Sequence, residues 1–236
     1  MIRLARKRNK NQLTDKQRSL ITQVDPKSAV SEQYRTLRTN IQFASVDKEI
    51  RKIMVSSSGP GEGKSTTIAN LGVVLSQQQK RVLLIDSDLR KPTVHFTFQL
   101  PNQTGLTNVL TRQATFEEAV LETEIPYLEV LPSGPVPPNP SELIGSKSMR
   151  DLLAKVEGIY DYVILDAPPV NLVTDPQILS SQCDGVVLVV RSGKTEVDGA
   201  KKAVESLKKA NAHIIGAVLN DREMEDKSYS YYYAEK

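Results

Sequence analysis

Read for apolar and polar positions, the chain divides into a polar opening, one amphipathic stretch, and an alternation of short apolar runs with helical segments. From Ser31, which can cap a helix, Tyr34, Leu37, Ile41 and Ala44 recur at helical spacing to about Ser45. Apolar runs at 53–56, 82–86, 128–131, 162–166, 185–190 and 213–219 predict strands. Between them the pattern predicts helices over 63 to about 79, near 147–156, after Thr174 and over 195 to about 210. Continuously apolar strands alternating with helices imply a doubly wound α/β fold, with a mostly parallel sheet covered on both faces. In such sheets ligands sit beyond the carboxyl ends of the strands. Residues 1–27, polar and ending at Asp25-Pro26, read as a flexible arm, 28–220 as one domain and 221–236 as a tail. Residues 132–140 hold five of the thirteen prolines and should be stiff and extended. They read equally well as a connector or as the rim of a site.

Composition narrows the classes. With 39% hydrophobic and 25% charged residues over 236 positions, the chain can close a core without staples. Its single cysteine, Cys183, excludes an internal disulfide, and His95 and His213 are too few for a histidine zinc site. The longest apolar runs, 186–190 and 214–219, fall well short of the ~20 residues that span a bilayer. The basic start leads into no apolar signal segment, so the cytoplasm is the expected compartment. Arg3, Arg6, Lys7, Arg8, Lys10, Lys16 and Arg18 can account for the net charge of +3. They read either as a solvated tail or as weak attraction to anionic lipid or an acidic partner, and no nucleic acid is expected.

The first predicted strand runs into Ser56-Ser-Ser-Gly59-Pro60-Gly61-Glu62-Gly63-Lys64-Ser65-Thr66 ahead of a helix, the setting of a P-loop. Gly61 and Gly63 let backbone N–H groups approach phosphate, Lys64 reaches the β/γ-phosphates, and the Ser65 hydroxyl can hold Mg²⁺. The consensus glycine is replaced by Ser58. Asp86 ends the second strand with Asp88 two residues on, and Asp166 ends the 162–166 run as the Walker B candidate. Strand-terminal carboxylates suit Mg²⁺, and one of the Asp86–Asp88 pair can take a proton from an incoming nucleophile, unless it merely caps the next turn.

These three motifs and their spacing resemble the bacterial protein-tyrosine kinases, which carry Walker A, A′ and B motifs on a P-loop fold of the ParA/MinD-like branch. The resemblance covers about residues 28–236. It adds Glu32-Gln-Tyr-Arg35-Thr-Leu-Arg38, similar to the E-x-x-R-x-x-R motif of subunit contacts in a ring, although an i,i+3 surface network explains the same spacing. It also adds Tyr229, Tyr231, Tyr232 and Tyr233, similar to the family's autophosphorylated tail. The resemblance implies ATP·Mg²⁺ held by residues 59–66, with Lys64, Asp86 and Asp88 catalytic and Ser65, Asp86 and Asp166 around the metal. Asp88 would be the base, Arg90 an aid to phosphate contacts, and Asn220 a contact to adenine. It implies a homo-oligomeric ring, a separate membrane-spanning activator that brings the kinase to the inner face of the membrane, protein-tyrosine substrates and a counteracting phosphatase. The process implied is capsular or extracellular polysaccharide synthesis and export. A ParA/MinD-like switch ATPase is the main rival, but its signature lysine would stand at Gly59 and a glycine at Pro60. A noncatalytic scaffold is a third reading, opposed by the intact Lys64, Asp86, Asp88 and Asp166.

Overall fold

A computed structural model describes residues 20–45 and 49–222. Seven strands form one sheet: β1 (Lys52–Ser57), β2 (Val82–Asp86), β3 (Leu121–Glu122), β4 (Leu128–Leu131), β5 (Tyr162–Asp166), β6 (Gly185–Arg191) and β7 (Ile214–Asn220). Their order is β3-β4-β2-β5-β1-β6-β7, all parallel except β3, which runs antiparallel to β4. Strands β1, β2, β4, β5 and most of β6 are buried on both sides, as parallel strands under two helical layers must be, whereas the edge strand β7 leaves Gly216, Ala217 and Leu219 exposed.

The helices are α1 (Ile21–Val24), α2 (Ala29–Gln42), α3 (Lys64–Ser76), α4 (Val94–Thr97), α5 (Leu106–Leu110), α6 (Phe116–Ala119), α7 (Pro140–Ile144), α8 (Lys147–Glu157), α9 (Asp175–Ser180) and α10 (Val197–Lys209). One core packs α3 and Ile41 of α2 against Ile53, Val55, Leu84 and Ile164. The opposite core packs Met149, Leu152 and Leu153 of α8, Leu179 of α9 and Ala203 and Leu207 of α10 against Met54, Leu83 and Leu165. The doubly wound expectation is thus met.

Differences from the sequence reading have local causes. Helix α2 starts earlier, because Ser28 rather than Ser31 is the cap, accepting from Ser31 N at 3.2 Å. Ser31 is buried, and its hydroxyl donates to Asp25 O at 2.7 Å. The helix ends at Gln42, leaving Ala44 exposed. The expected arm gives up its last residues to the fold: Thr22 of α1 is buried, and its N–H and hydroxyl donate to Asn70 Oδ1 on α3 at 3.1 and 2.8 Å. Between Asp86 and Leu128 lie α4, α5, α6 and β3, each five residues or fewer and too short to carry a period.

The proline-rich segment is a connector. Leu106 N and Thr107 N donate to Pro132 O and Ser133 O, and the chains approach so closely that a Cβ on Gly105 would lie 2.2 Å from Pro132 O. The segment contributes nothing to the lining of the phosphate cavity and ends as Pro140 opens α7.

Candidate active site

Register builds the site. Asp86 pairs with Asp166 across β2 and β5, and Val55 of β1 pairs with Asp166, so both carboxyls emerge beside the loop between β1 and α3. In that loop Gly61 and Gly63 take φ of +70° and +95°, a left-handed backbone that disfavours other residues. Pro60, Gly61 and Gly63 of the loop, with Lys64, Ser65, Thr66, Asp88, Arg90, Thr93, Asn220 and residues of the 168–173 loop, line a cavity of about 520 Å³, whereas Gly59 and Glu62, expected among the nucleotide-binding residues, do not line it.

Lys64 Nζ lies 3.0 Å from Asp88 Oδ2 and 3.3 Å from Asp166 Oδ1. Burial alone would lower its pKa, but the charges of Asp166 and Asp88 outweigh that and raise it, so Lys64 is a fixed cation. The Ser65 hydroxyl donates to Asp166 Oδ2 at 2.6 Å and accepts from Thr93 Oγ1 at 3.0 Å. Asp86 Oδ2 accepts from Thr93 N and Val94 N, both at 3.0 Å, while its Oδ1 is buried with no partner. Burial, then the neighbouring Asp166, pushes Asp86 up to about 8. Burial also raises Asp166, against the pull of Lys64. A partnerless buried carboxyl oxygen, a serine hydroxyl and further carboxylates are an all-oxygen donor set whose chemistry fits a hard divalent cation.

Asp88 closes a turn and also lines the cavity. Its Oδ1 accepts from Lys91 N at 3.0 Å, closing a turn, while Oδ2 faces Lys64. Arg90 lies on the cavity rim with its fork on Asp175, 2.8 and 3.1 Å, and on Ser141 Oγ, 3.0 Å. Burial would raise Asp175, but hydrogen bonds from Arg90 and Ser141 hold its pKa below the usual range. Asn220 lies against the loop: its Nδ2 donates to Glu62 O at 3.0 Å, and a Cβ on Gly63 would come within 2.1 Å of it.

Some of these partners escaped the sequence reading. Glu62 turns its carboxyl onto Ser58 and Thr195, Thr93 touches Ser65, and Lys194 donates to Pro60 O at 3.0 Å. A serine at the consensus glycine was the one signal available for the first of these. Away from the cavity, Glu32 and Arg35 form an ion pair, whereas Arg38 Nη1 donates to Val74 O at 2.8 Å, at the C-terminal end of α3. Tyr229, Tyr231, Tyr232 and Tyr233 lie outside the described residues, as does the arm through residue 19.

A family model described as an AAA domain matches residues 50–218. The chain is similar to the tyrosine-protein kinase YwqD of Bacillus subtilis, 51% identical over 224 residues that cover 94% of each chain. The chain belongs to the bacterial tyrosine-protein kinases. It is a tyrosine-protein autokinase of capsule and extracellular polysaccharide synthesis, and its matches to YwqD and to the putative tyrosine-protein kinase CapB of Staphylococcus aureus span 94% and 92% of those chains. Among solved structures, the chimerical protein CapA2B2 is 43% identical with a TM-score of 0.84, over 87% of this kinase and 90% of that chain. The cell division ATPase MinD of Pyrococcus furiosus shares the P-loop fold, at 26% identity and a TM-score of 0.64 over 75% and 74% of the two chains. No helix among the described residues of the kinase is long and apolar enough to cross a membrane.

Proposed function

We propose that this kinase binds ATP·Mg²⁺ through residues 59–66 and transfers the γ-phosphoryl group to Tyr229, Tyr231, Tyr232 and Tyr233 of a neighbouring subunit's tail. The observation that carries the reading is Lys64 held between Asp88 and Asp166 at the mouth of a glycine loop. Lys64 turns from these carboxylates to the β/γ-phosphates and frees Asp88 Oδ2. Ser65, Asp86 and Asp166 would hold Mg²⁺, which would supply charge neutralisation at the phosphates. The tyrosine oxygen forms the new P–O bond as the β–γ bridge breaks, its proton passes to Asp88, and ADP leaves. A hydroxyl with a pKa of ~10 needs such an acceptor at neutral pH. Asn220, at the end of β7, contacts the base.

Residues 20–220, with α1 included, act as the kinase domain and 221–236 as its substrate tail. Glu32, Arg35 and Arg38 contribute to a homo-oligomeric ring, and a membrane-spanning activator docks a cytoplasmic segment and recruits the kinase to the inner membrane face. Exogenous protein-tyrosine substrates and a phosphatase complete the cycle. The test is the intact mass of the protein after incubation with Mg·ATP and an activator segment, beside Lys64→Met. Successive ~80 Da additions mapping to the four tail tyrosines and absent from the variant are expected, one per phosphoryl group. ATP consumed without any addition would sink the reading in favour of a switch ATPase.

A further inference from the structure

A carboxyl group inside a loop that receives phosphate opposes its ligand unless it is turned away and held. Glu62 is only 4% exposed and does not line the phosphate cavity, although Pro60, Gly61 and Gly63 on either side of it do. Its Oε1 accepts from Ser58 Oγ at 2.8 Å and from Thr195 Oγ1 at 2.8 Å, and its Oε2 accepts from Ser58 N at 3.0 Å and Ser58 Oγ at 3.0 Å. Thr195 is fixed in turn, its hydroxyl accepting from Arg191 N at 2.8 Å. The carboxyl therefore ties the first residue of the loop to the fifth, and both to the turn between β6 and α10. Glycine at the consensus position could supply the N–H but not the hydroxyl.

We propose that Ser58, Glu62 and Thr195 form a clasp behind the phosphate loop that holds it in its receiving shape before nucleotide arrives, which makes them positioning residues of the kinase reaction. A loop with glycine at 59, 61 and 63 has much backbone freedom to lose on ordering. With the clasp that cost falls on folding instead of on nucleotide binding, the general route by which preorganisation raises affinity. The clasp touches no reacting atom, so it acts on binding of the phosphates and not on the transfer step.

The test titrates Mg·ADP calorimetrically into wild type, Thr195→Val, Glu62→Gln and Glu62→Ala, and measures KM and kcat for ATP by phosphorylation of the tail. Thr195→Val keeps shape and removes a half-buried hydroxyl that donates to Glu62 and accepts from Arg191 N, so its affinity should fall ~10-fold. KM should rise in step while kcat stays within about twofold. Glu62→Gln should lose less than Glu62→Ala because it retains an acceptor. Adding Ser58→Gly to Thr195→Val should cost less than the sum of the two, since both act through one carboxyl. A lowered melting temperature with unchanged affinity, or a lost kcat with unchanged KM, would overturn the clasp. The inference rests on the nucleotide reading: wild type that binds no Mg·ADP would overturn both, whereas wild-type binding with unaffected variants overturns the clasp alone.

Discussion

At Gly63 the backbone stands at φ +95°, and a methyl group there would sit 2.1 Å from Asn220 Nδ2. Gly63→Ala therefore meets two obstacles, a left-handed backbone costing ~1–2 kcal/mol and a blocked side chain. Nucleotide affinity should fall at least ~10-fold, and adding Asn220→Ala should not restore it, because the backbone strain remains. Calorimetric titration of the single and double variants checks this; full recovery in the double variant would assign the whole effect to the clash. The same residue scale separates what was readable in the chain from what was not. Lys64, Asp86 and Asp166 were legible because a glycine loop and strand-terminal carboxylates occupy fixed places in a parallel sheet. Thr93, Thr195 and Ser141 were not, since a hydroxyl partner is chosen by distance in space and leaves no spacing in the sequence.

Among the elements, α1 shows how a polar opening can still belong to the fold. Its four residues could not hold a helix alone, but Thr22 gives two buried hydrogen bonds to Asn70 Oδ1 on α3. Asn70→Ala leaves the Thr22 N–H and hydroxyl without that acceptor, so unfolding in urea should lose ~1–3 kcal/mol. Limited proteolysis should then cut the first 25 residues sooner than in wild type, and equal rates would count against the tether. Helix α2 carries the arginine motif that its spacing advertised, yet only Glu32 and Arg35 pair with each other. Arg38 turns to Val74 O, where a guanidinium satisfies a carbonyl in the last turn of α3. Periodicity placed α2, α8 and α10 within a few residues because each is long enough to show an apolar face, whereas α3, buried from Thr67 to Ser76, was placed by the glycine loop that precedes it. The pieces between β2 and β4 have no such length; their caps and the contact of Gly105 with Pro132 O organise them.

For the whole molecule, the buried pair of Asp86 and Asp166 makes stability depend on pH in an unusual direction. Asp86 is raised from 3.8 to about 8, so across that window the folded state keeps a proton that the unfolded chain has released. Stability should be greatest below the lower value and fall as pH rises through the upper one, by up to ~1.4 kcal/mol per pH unit for one proton. Asp86→Asn should flatten the profile of melting temperature against pH between these limits. Binding of Mg·nucleotide by wild type near neutral pH should release a proton, read as a dependence of the calorimetric heat on buffer ionisation enthalpy; no such dependence would oppose the assignment of Asp86 to the metal. The sequence alone determined the layered α/β architecture, the phosphate loop and which carboxylates end strands, because burial patterns and glycine requirements are local and repeat along the chain. Only the tertiary structure decided that β2 and β5 lie side by side with Asp86 and Asp166 in register, that Lys64 sits between Asp88 and Asp166, and that Glu62 faces Thr195 across 133 positions. Those pairings come from strand order and crossover connections, which bring together residues whose separation along the chain carries no periodic signal.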